Sequence, residues 1–397
     1  MGERTSRSRA FRGYAGFYAC SFLLLGAYMQ FFPTWLHEVG GFGEAHVTVI
    51  LSAQKIARTL AGPLWSSWVD RCGDARRVLL LLATGGLGAF LLFWFAEGLL
   101  FAWCVAFLFG SLGPPMFPIV DAASVQAAQQ HGFSFGRLRM IGSVTFLLAI
   151  LLVGAWLERF GTPHVFPILA VALLLTIAAA WFVPRGEVDA AAVGQRERTP
   201  WWRLFQSRSF VLVLLAASLI QGSHALYYDL STVHWNEHGI DKTMAAVLWG
   251  EGVLAEIVLL FYARQTFDRL RPTTLLLLGG LCAVVRWTLI GVTTSLPLLL
   301  LGNWLHAFSF AATYLGGIRA LHDRVPAHQH ATAQGVLGAA TSGFGMAACG
   351  LLGGFAYRHL QGAAFYLMAG VALLGACCAL LLRRGPRGLR PSRGAGA

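Results

Sequence analysis

The chain has 397 residues, 56% hydrophobic and only 12% charged, against roughly 25% charged in an ordinary soluble domain. So little charge cannot cover a soluble surface of this size, which excludes an ordinary water-soluble domain. The formal net charge of +12 would point to nucleic acid in a soluble protein, but here the cations stand between apolar runs and carry topological information instead; no nucleic-acid partner is expected.

Runs long enough to cross about 30 Å of hydrocarbon recur along the chain. The first six cover 13–35, 47–69, 78–96, 99–125, 138–157 and 165–183. After a polar stretch six more follow, at 210–235, 244–267, 273–292, 296–321, 332–357 and 363–382. The pattern predicts an all-α membrane protein of twelve transmembrane helices. Its expected parts are an N-terminal six-helix bundle (1–184), a cytoplasmic linker (185–208), a C-terminal six-helix bundle (209–384) and a basic disordered tail (385–397) that can touch anionic lipid. The first run follows a basic start but is too long for a signal-peptide core and lacks a small-residue cleavage site, so no cleavable signal is expected.

Orientation follows from the arginines. With both termini cytoplasmic, the opposite side carries Arg159, Lys242 and Arg358, the membrane holds Lys55, Arg58 and Arg286, and the rest of the 30 cations are cytoplasmic. The halves also echo one another: Asp70, Arg71, Cys72 and Gly73 follow the second run, and Asp268, Arg269, Leu270 and Arg271 follow the eighth. A parallel internal repeat explains both positions, and Asp70 with Arg71 is counted among the gating candidates. The seven cysteines lie mostly in apolar runs without metal-ligand spacing, and His322, His328 and His330 read as solvated surface; no metal and no cofactor is expected beyond a coupling proton. No nucleophile with a base and no phosphate loop is present, so the chain reads as a non-enzyme.

An ionisable residue at the centre of a membrane helix costs about 2.5–3.5 kcal/mol on insertion scales, so such residues face partners or water. In the first half these are Lys55 and Arg58, three residues apart on one helix face, and Asp121. In the second half they are His224, Asp229, Glu251, Glu256, Arg286 and His306, with Asn303 beside them. Gln221, His224, Tyr228, Thr232 and Trp235 recur at helical spacing and form a polar, aromatic stripe suited to lining a cavity. Asp229 and Glu251 fall off the stripes and read as peripheral pairs or as residues of the outer mouth. Glu256, Arg286 and His306, each near the middle of consecutive helices, have the chemistry of a proton-coupling site. Asp121 faces the corner opened by Arg137 and Arg139, where pairing would close an inner gate.

At these residues the chain resembles the phenylpropionic acid permease branch of the major facilitator superfamily, a relative of the lactose and nucleoside proton symporters. The resemblance rests on Ala57 and Arg58; Pro118 to Ala122; Gly136 to Arg139 with Gly142 and Ser143; Gln221 to Ala225 with Tyr227 and Tyr228; Ala255 and Glu256; Val285 to Trp287; and Leu305 and His306. It implies a fold of two bundles around a central cavity, and uptake of a small solute, an aromatic carboxylate, with a proton by alternating access. An anion would be held by Arg286 or Arg58 with Lys55 assisting, while His224, Tyr228, Trp249, Trp287 and Asn303 supply aromatic surface and hydrogen bonds. Lys55, Asp229 and Glu251 depart from the branch. A sugar or nucleoside proton symporter, a proton-driven exporter and a non-transporting receptor share the same features. A monomer in the bacterial inner membrane, with lipid and a small-molecule substrate as partners, completes the expectation.

Overall fold

Helix follows helix because the apolar runs leave their backbone groups nowhere else to bond in hydrocarbon. The computed structural model describes residues 2–185, 201–262, 269–326 and 329–384, and among them there is no strand. The helices are α1 (Gly2–Glu38), α2 (Glu44–Cys72), α3 (Ala75–Leu91), α4 (Leu99–Leu112), α5 (Met116–His131), α6 (Phe135–Phe160), α7 (Val165–Ala180), α8 (Arg208–Gly222) and α9 (Ala225–Glu237). They continue as α10 (Lys242–Tyr262), α11 (Pro272–Val292), α12 (Leu296–Asn303), α13 (Thr313–His322), α14 (His330–Gly338), α15 (Met346–Leu360) and α16 (Ala364–Arg384).

Among the described residues, nine helical segments are long and apolar enough to cross a membrane; the last, Thr332–Arg383, contains the turn at Gln361–Ala363. α2 and α10 stand outside that set, and they carry Lys55 with Arg58 and Glu251 with Glu256. The loop between α2 and α3 is closed by Gly73, whose φ of 65° is the left-handed conformation a helix C-cap needs. Asp74 then caps α3 by accepting from the Arg77 amide.

The chain divides into two units. The first comprises Met1–Gln195, Ala225–Glu251 and Gly350–Gly362; the second comprises Arg196–His224, Gly252–Cys349 and Ala363–Ala397. In the first unit α1 packs on α6 and α7, α2 on α4, and α3 on α4 and α7, while α9 lies against α1 and α2. Small residues set the closest approaches: a Cβ on Gly110 would meet the Gln54 backbone at 2.5 Å. One end of this unit is tied by side chains. Lys242 Nζ reaches Glu38 Oε1 at 3.5 Å, the Lys242 amide donates to Glu158 Oε2 at 2.8 Å, and the Thr162 hydroxyl donates to Glu38.

In the second unit α11 packs on α16 and α13, and α8 on α16. Its apolar centre includes Phe210, Val213, Leu276, Leu321 and Leu337. Two π-helical stretches interrupt its helices, Ala307–Ala312 ahead of α13 and Ala339–Gly345 ahead of α15. Such insertions frequently mark functional positions, because they re-aim side chains and loosen the backbone ladder.

Candidate functional site

The sequence Gln221, Gly222, Ser223, His224 breaks a long apolar segment into α8 and α9. Gly222 sits where a Cβ would meet Cys349 Sγ at 2.8 Å. At the break the Ile220 carbonyl accepts from the Ser223 hydroxyl at 2.7 Å and from His224 Nδ1 at 3.0 Å. A carbonyl only accepts, so His224 carries its proton on Nδ1, and its Nε2 faces Ser309 Oγ at 3.0 Å. His224 is fully buried and meets Trp287 edge-on, with ring centroids 4.9 Å apart.

Arg286 of α11, also fully buried, is the centre of this group. Its Nη1 donates to His306 Nδ1 at 3.0 Å and its Nη2 to Asn303 Oδ1 at 3.0 Å, while its guanidinium lies 4.7 Å from the Trp287 ring. A guanidinium only donates, so His306 Nδ1 is an acceptor here and the ring's proton sits on Nε2. A second proton on this ring requires Arg286 to let go. The His306 ring stacks on Phe310, whose carbonyl accepts from Gln221 Nε2 at 3.1 Å. Ser309, one turn from His306, links the two histidines: its hydroxyl is within reach of His224 Nε2 and of the His306 carbonyl at 3.3 Å. Glu256 is half-buried on α10, one turn beyond Gly252, where a Cβ would lie 3.4 Å from the His306 ring. The structure therefore joins His224, Arg286, Asn303 and His306, with α10 packed beside them.

The second group lies in the first unit. Lys55 Nζ donates to Asp229 Oδ1 at 2.7 Å and to Oδ2 at 2.6 Å; the side chains are 16% and 3% exposed. This bidentate pair ties α2 to α9 and gives Asp229, which falls off the sequence stripes, a central place. Arg58 is half-buried one turn along from Lys55. Trp249 stacks on Tyr227 at 5.2 Å, lies 5.6 Å from Tyr228, and donates through Nε1 to Ser231 Oγ at 3.1 Å. Tyr28 donates to Gln54 Oε1 at 3.0 Å and stacks on Phe32 and Phe109.

The gating candidates are placed differently from the expected corner. Asp121 accepts the Tyr18 hydroxyl, which also lies 3.1 Å from Ser124 Oγ. Arg139 lies over the Phe22 ring at 4.6 Å, and among the described residues no ion pair joins Asp121 to Arg137 or Arg139. A tyrosine on the facing helix satisfies the carboxylate first, a partner that charge counting does not suggest. Arg71 is exposed at the end of α2, whereas the Asp70 side chain and all of Asp268 lie outside the described residues. Sequence reasoning missed Gln30, Thr34 and Trp35 on α1, whose Gln30 amide, Thr34 Oγ1 and Trp35 Nε1 are buried with no hydrogen-bond partner among the described residues, as are Thr232 Oγ1 and Trp235 Nε1 of the expected α9 stripe. Gln30 and Thr34, four residues apart, were the available signal.

Residues 11–368 match the MFS_1-like family. The chain belongs to that family. It is therefore a transporter of the major facilitator superfamily, a multi-pass integral protein of the inner membrane and not an enzyme, as the motifs led one to expect. This MFS protein is 28% identical over 361 residues to the probable 3-phenylpropionic acid transporter of Escherichia coli (strain K12), covering 90% of this chain and 93% of the relative. It is 25% identical over 371 residues to the maltose permease of Geobacillus stearothermophilus, covering 92% of each. Among solved structures, the nucleoside transporter NupG superposes with a TM-score of 0.84 at 15% identity, over 94% of this chain and 99% of that one. An inward-facing, unoccupied bacterial homologue of the human lysosomal transporter Spinster superposes with a TM-score of 0.73 at 14% identity, over 95% and 97%. These structural likenesses establish the fold of the transporter.

Proposed function

We propose that this transporter imports a small organic anion, an aromatic carboxylate, together with a proton by alternating access. The observation that carries the reading is the fully buried Arg286 guanidinium held by two neutral acceptors, His306 Nδ1 and Asn303 Oδ1. A planar, permanently charged guanidinium held in the membrane interior beside aromatic rings is suited to an incoming carboxylate, which it can take in a bidentate grip. Trp287, His224 and Phe310 supply aromatic surface beside it. When the anion engages Arg286, His306 Nδ1 is released to accept a proton, which links the two cargoes. Glu256 on the adjoining helix is the proton's other station. Lys55 and Asp229 hold α9 against the first bundle in this conformation, and Asp121, Arg137, Arg139, Asp70 and Arg71 act at the opposite gate.

The topology proposed with this reading has twelve spanning helices and cytoplasmic termini. It is supported by nine apolar segments, the longest of which is interrupted at Gln361–Ala363 and is long enough for two spans, taken together with α2 and α10, and by the arginine distribution. The bundles are assigned to 1–184 and 209–384, joined by the linker 185–208 and followed by the basic tail 385–397, and the protein acts as a monomer.

The test is proteoliposome uptake of labelled 3-phenylpropionate with and without an inward proton gradient, for wild type and Glu256→Gln. Gradient-driven accumulation by wild type, with only exchange in Glu256→Gln, is expected. Uphill uptake unchanged in Glu256→Gln removes Glu256 from coupling, and gradient-driven efflux assigns an exporter. The likeness to curated sugar and nucleoside transporters makes sugar or nucleoside symport the second reading, and uptake of maltose or uridine by the same vesicles decides between them.

A further inference from the structure

One end of the first unit carries a group of side chains that the transport reading does not use. His37 closes α1, Glu44 opens α2 and Glu237 closes α9, and one donor atom from each lies within 4.8 Å of the others. Two features make this more than a surface cluster of acids. His37 Nδ1 faces the Phe42 carbonyl at 3.0 Å, and a carbonyl only accepts, so the ring donates from Nδ1 and turns Nε2 towards Glu237 Oε1 at 3.6 Å. Two ligands about 2.1 Å from a tetrahedral ion stand roughly 3.4 Å apart, close to that separation.

The outer hydrogen bonds are those a metal site needs. The Tyr357 hydroxyl donates to Glu237 Oε2 at 3.2 Å, which leaves Oε1 to face His37. That donation commits Tyr357's only proton, so His234 Nδ1 must donate to the Tyr357 oxygen at 2.8 Å. Carbonyl-oriented histidine and hydroxyl-oriented carboxylate are the second shell that fixes ligand direction. The His37 and Glu237 side chains are 25% and 36% exposed, so an ion reaches them from water.

We propose that His37 Nε2, Glu44 and Glu237 bind a divalent transition-metal ion of the zinc class at the outer end of the transporter. One imidazole nitrogen and two carboxylate oxygens, with water completing the shell, suit zinc better than magnesium, which prefers all-oxygen octahedral sites. The ligands come from α1, α2 and α9, of which α2 and α9 are also tied together by Lys55 and Asp229. An ion bridging them stabilises this closed arrangement over any in which α9 leaves α1. At about 100 times its dissociation constant, the ion multiplies the closed-to-open ratio about 100-fold. External zinc is then a brake on transport. The brake rests on the transporter reading, whereas the binding does not.

The test titrates zinc chloride into the purified full-length protein in detergent by calorimetry, with magnesium chloride as the comparison. No transported solute is present, so the result is independent of which cargo is carried. One saturable zinc ion per chain is expected, with no matching magnesium signal. His37→Gln and Glu237→Gln are each expected to weaken binding at least tenfold, on the order of a second-shell loss or more, and Tyr357→Phe by about tenfold. Melting curves recorded without metal identify any variant that has lost its fold. Wild type with no saturable zinc binding, zinc binding unchanged in both ligand variants, or magnesium binding equal to zinc each overturns the proposal.

Discussion

The Lys55–Asp229 pair offers the sharpest perturbation, because its two side chains are 16% and 3% exposed and bridge α2 to α9 through two contacts of 2.6 and 2.7 Å. Asp229→Asn leaves the Lys55 ammonium buried beside a neutral amide. Breaking a buried ion pair from one side destabilises by about 3–5 kcal/mol, since the remaining charge keeps its desolvation penalty. At 1.36 kcal/mol per factor of ten, that is roughly two to four powers of ten in the ratio of this arrangement to one in which α9 has left α2. Replacing both partners by apolar residues, Lys55→Met with Asp229→Leu, removes the penalty together with the attraction and is expected to return the ratio to within about tenfold of wild type. The assay places a cysteine at Thr232, 3% exposed on α9, in a background without the seven native thiols, and follows labelling by a membrane-impermeant maleimide. Labelling should rise at least 100-fold in Asp229→Asn and fall back in the double variant. A single variant that labels at the wild-type rate refutes the claim that this pair holds α9 against α2.

Other perturbations separate the remaining roles. Arg286→Lys keeps the charge but lacks the planar fork that serves His306 Nδ1 and Asn303 Oδ1 together, so counterflow of the solute should drop at least tenfold, with a stability loss of about 1–3 kcal/mol for the acceptor left unpaired. Gln30→Leu removes a buried amide that has no hydrogen-bond partner among the described residues; each such group costs about 1–3 kcal/mol, so the variant should melt higher. Gly110→Ala drives a Cβ to within 2.5 Å of the Gln54 backbone, and thermal unfolding should show a loss of about 1–3 kcal/mol or a failure to assemble. Tyr18→Phe strips Asp121 of its hydroxyl donor and should lower stability by about 1–3 kcal/mol; an unchanged melting curve would show that Arg139 takes over.

Much of this protein can be read from one dimension. Hydrocarbon imposes length and apolarity on each span locally, so a residue-by-residue reading finds the helices and the few charges that interrupt them, among them Lys55, Glu256, Arg286 and His306. Whether two such residues meet is a different matter. Arg286 and His306 were legible as a set because each sits mid-span on consecutive helices, and the structure does join them at 3.0 Å. Asp229 was discounted because it leaves the helical stripe, yet it lies against Lys55, 174 residues earlier. Asp121 was expected to find an arginine at the next corner and instead meets Tyr18, 103 residues away. The metal-ligating group at His37, Glu44 and Glu237 has no spacing to recognise, since its members close and open three different helices. The sequence by itself determined that this chain spans a membrane in many helices and which charges it keeps there, because the lipid acts on each segment separately. Only the tertiary structure decided which of those charges are partners, because partnership depends on the rotation and depth of packed helices, which small residues such as Gly110 and Gly222 set through close backbone approach.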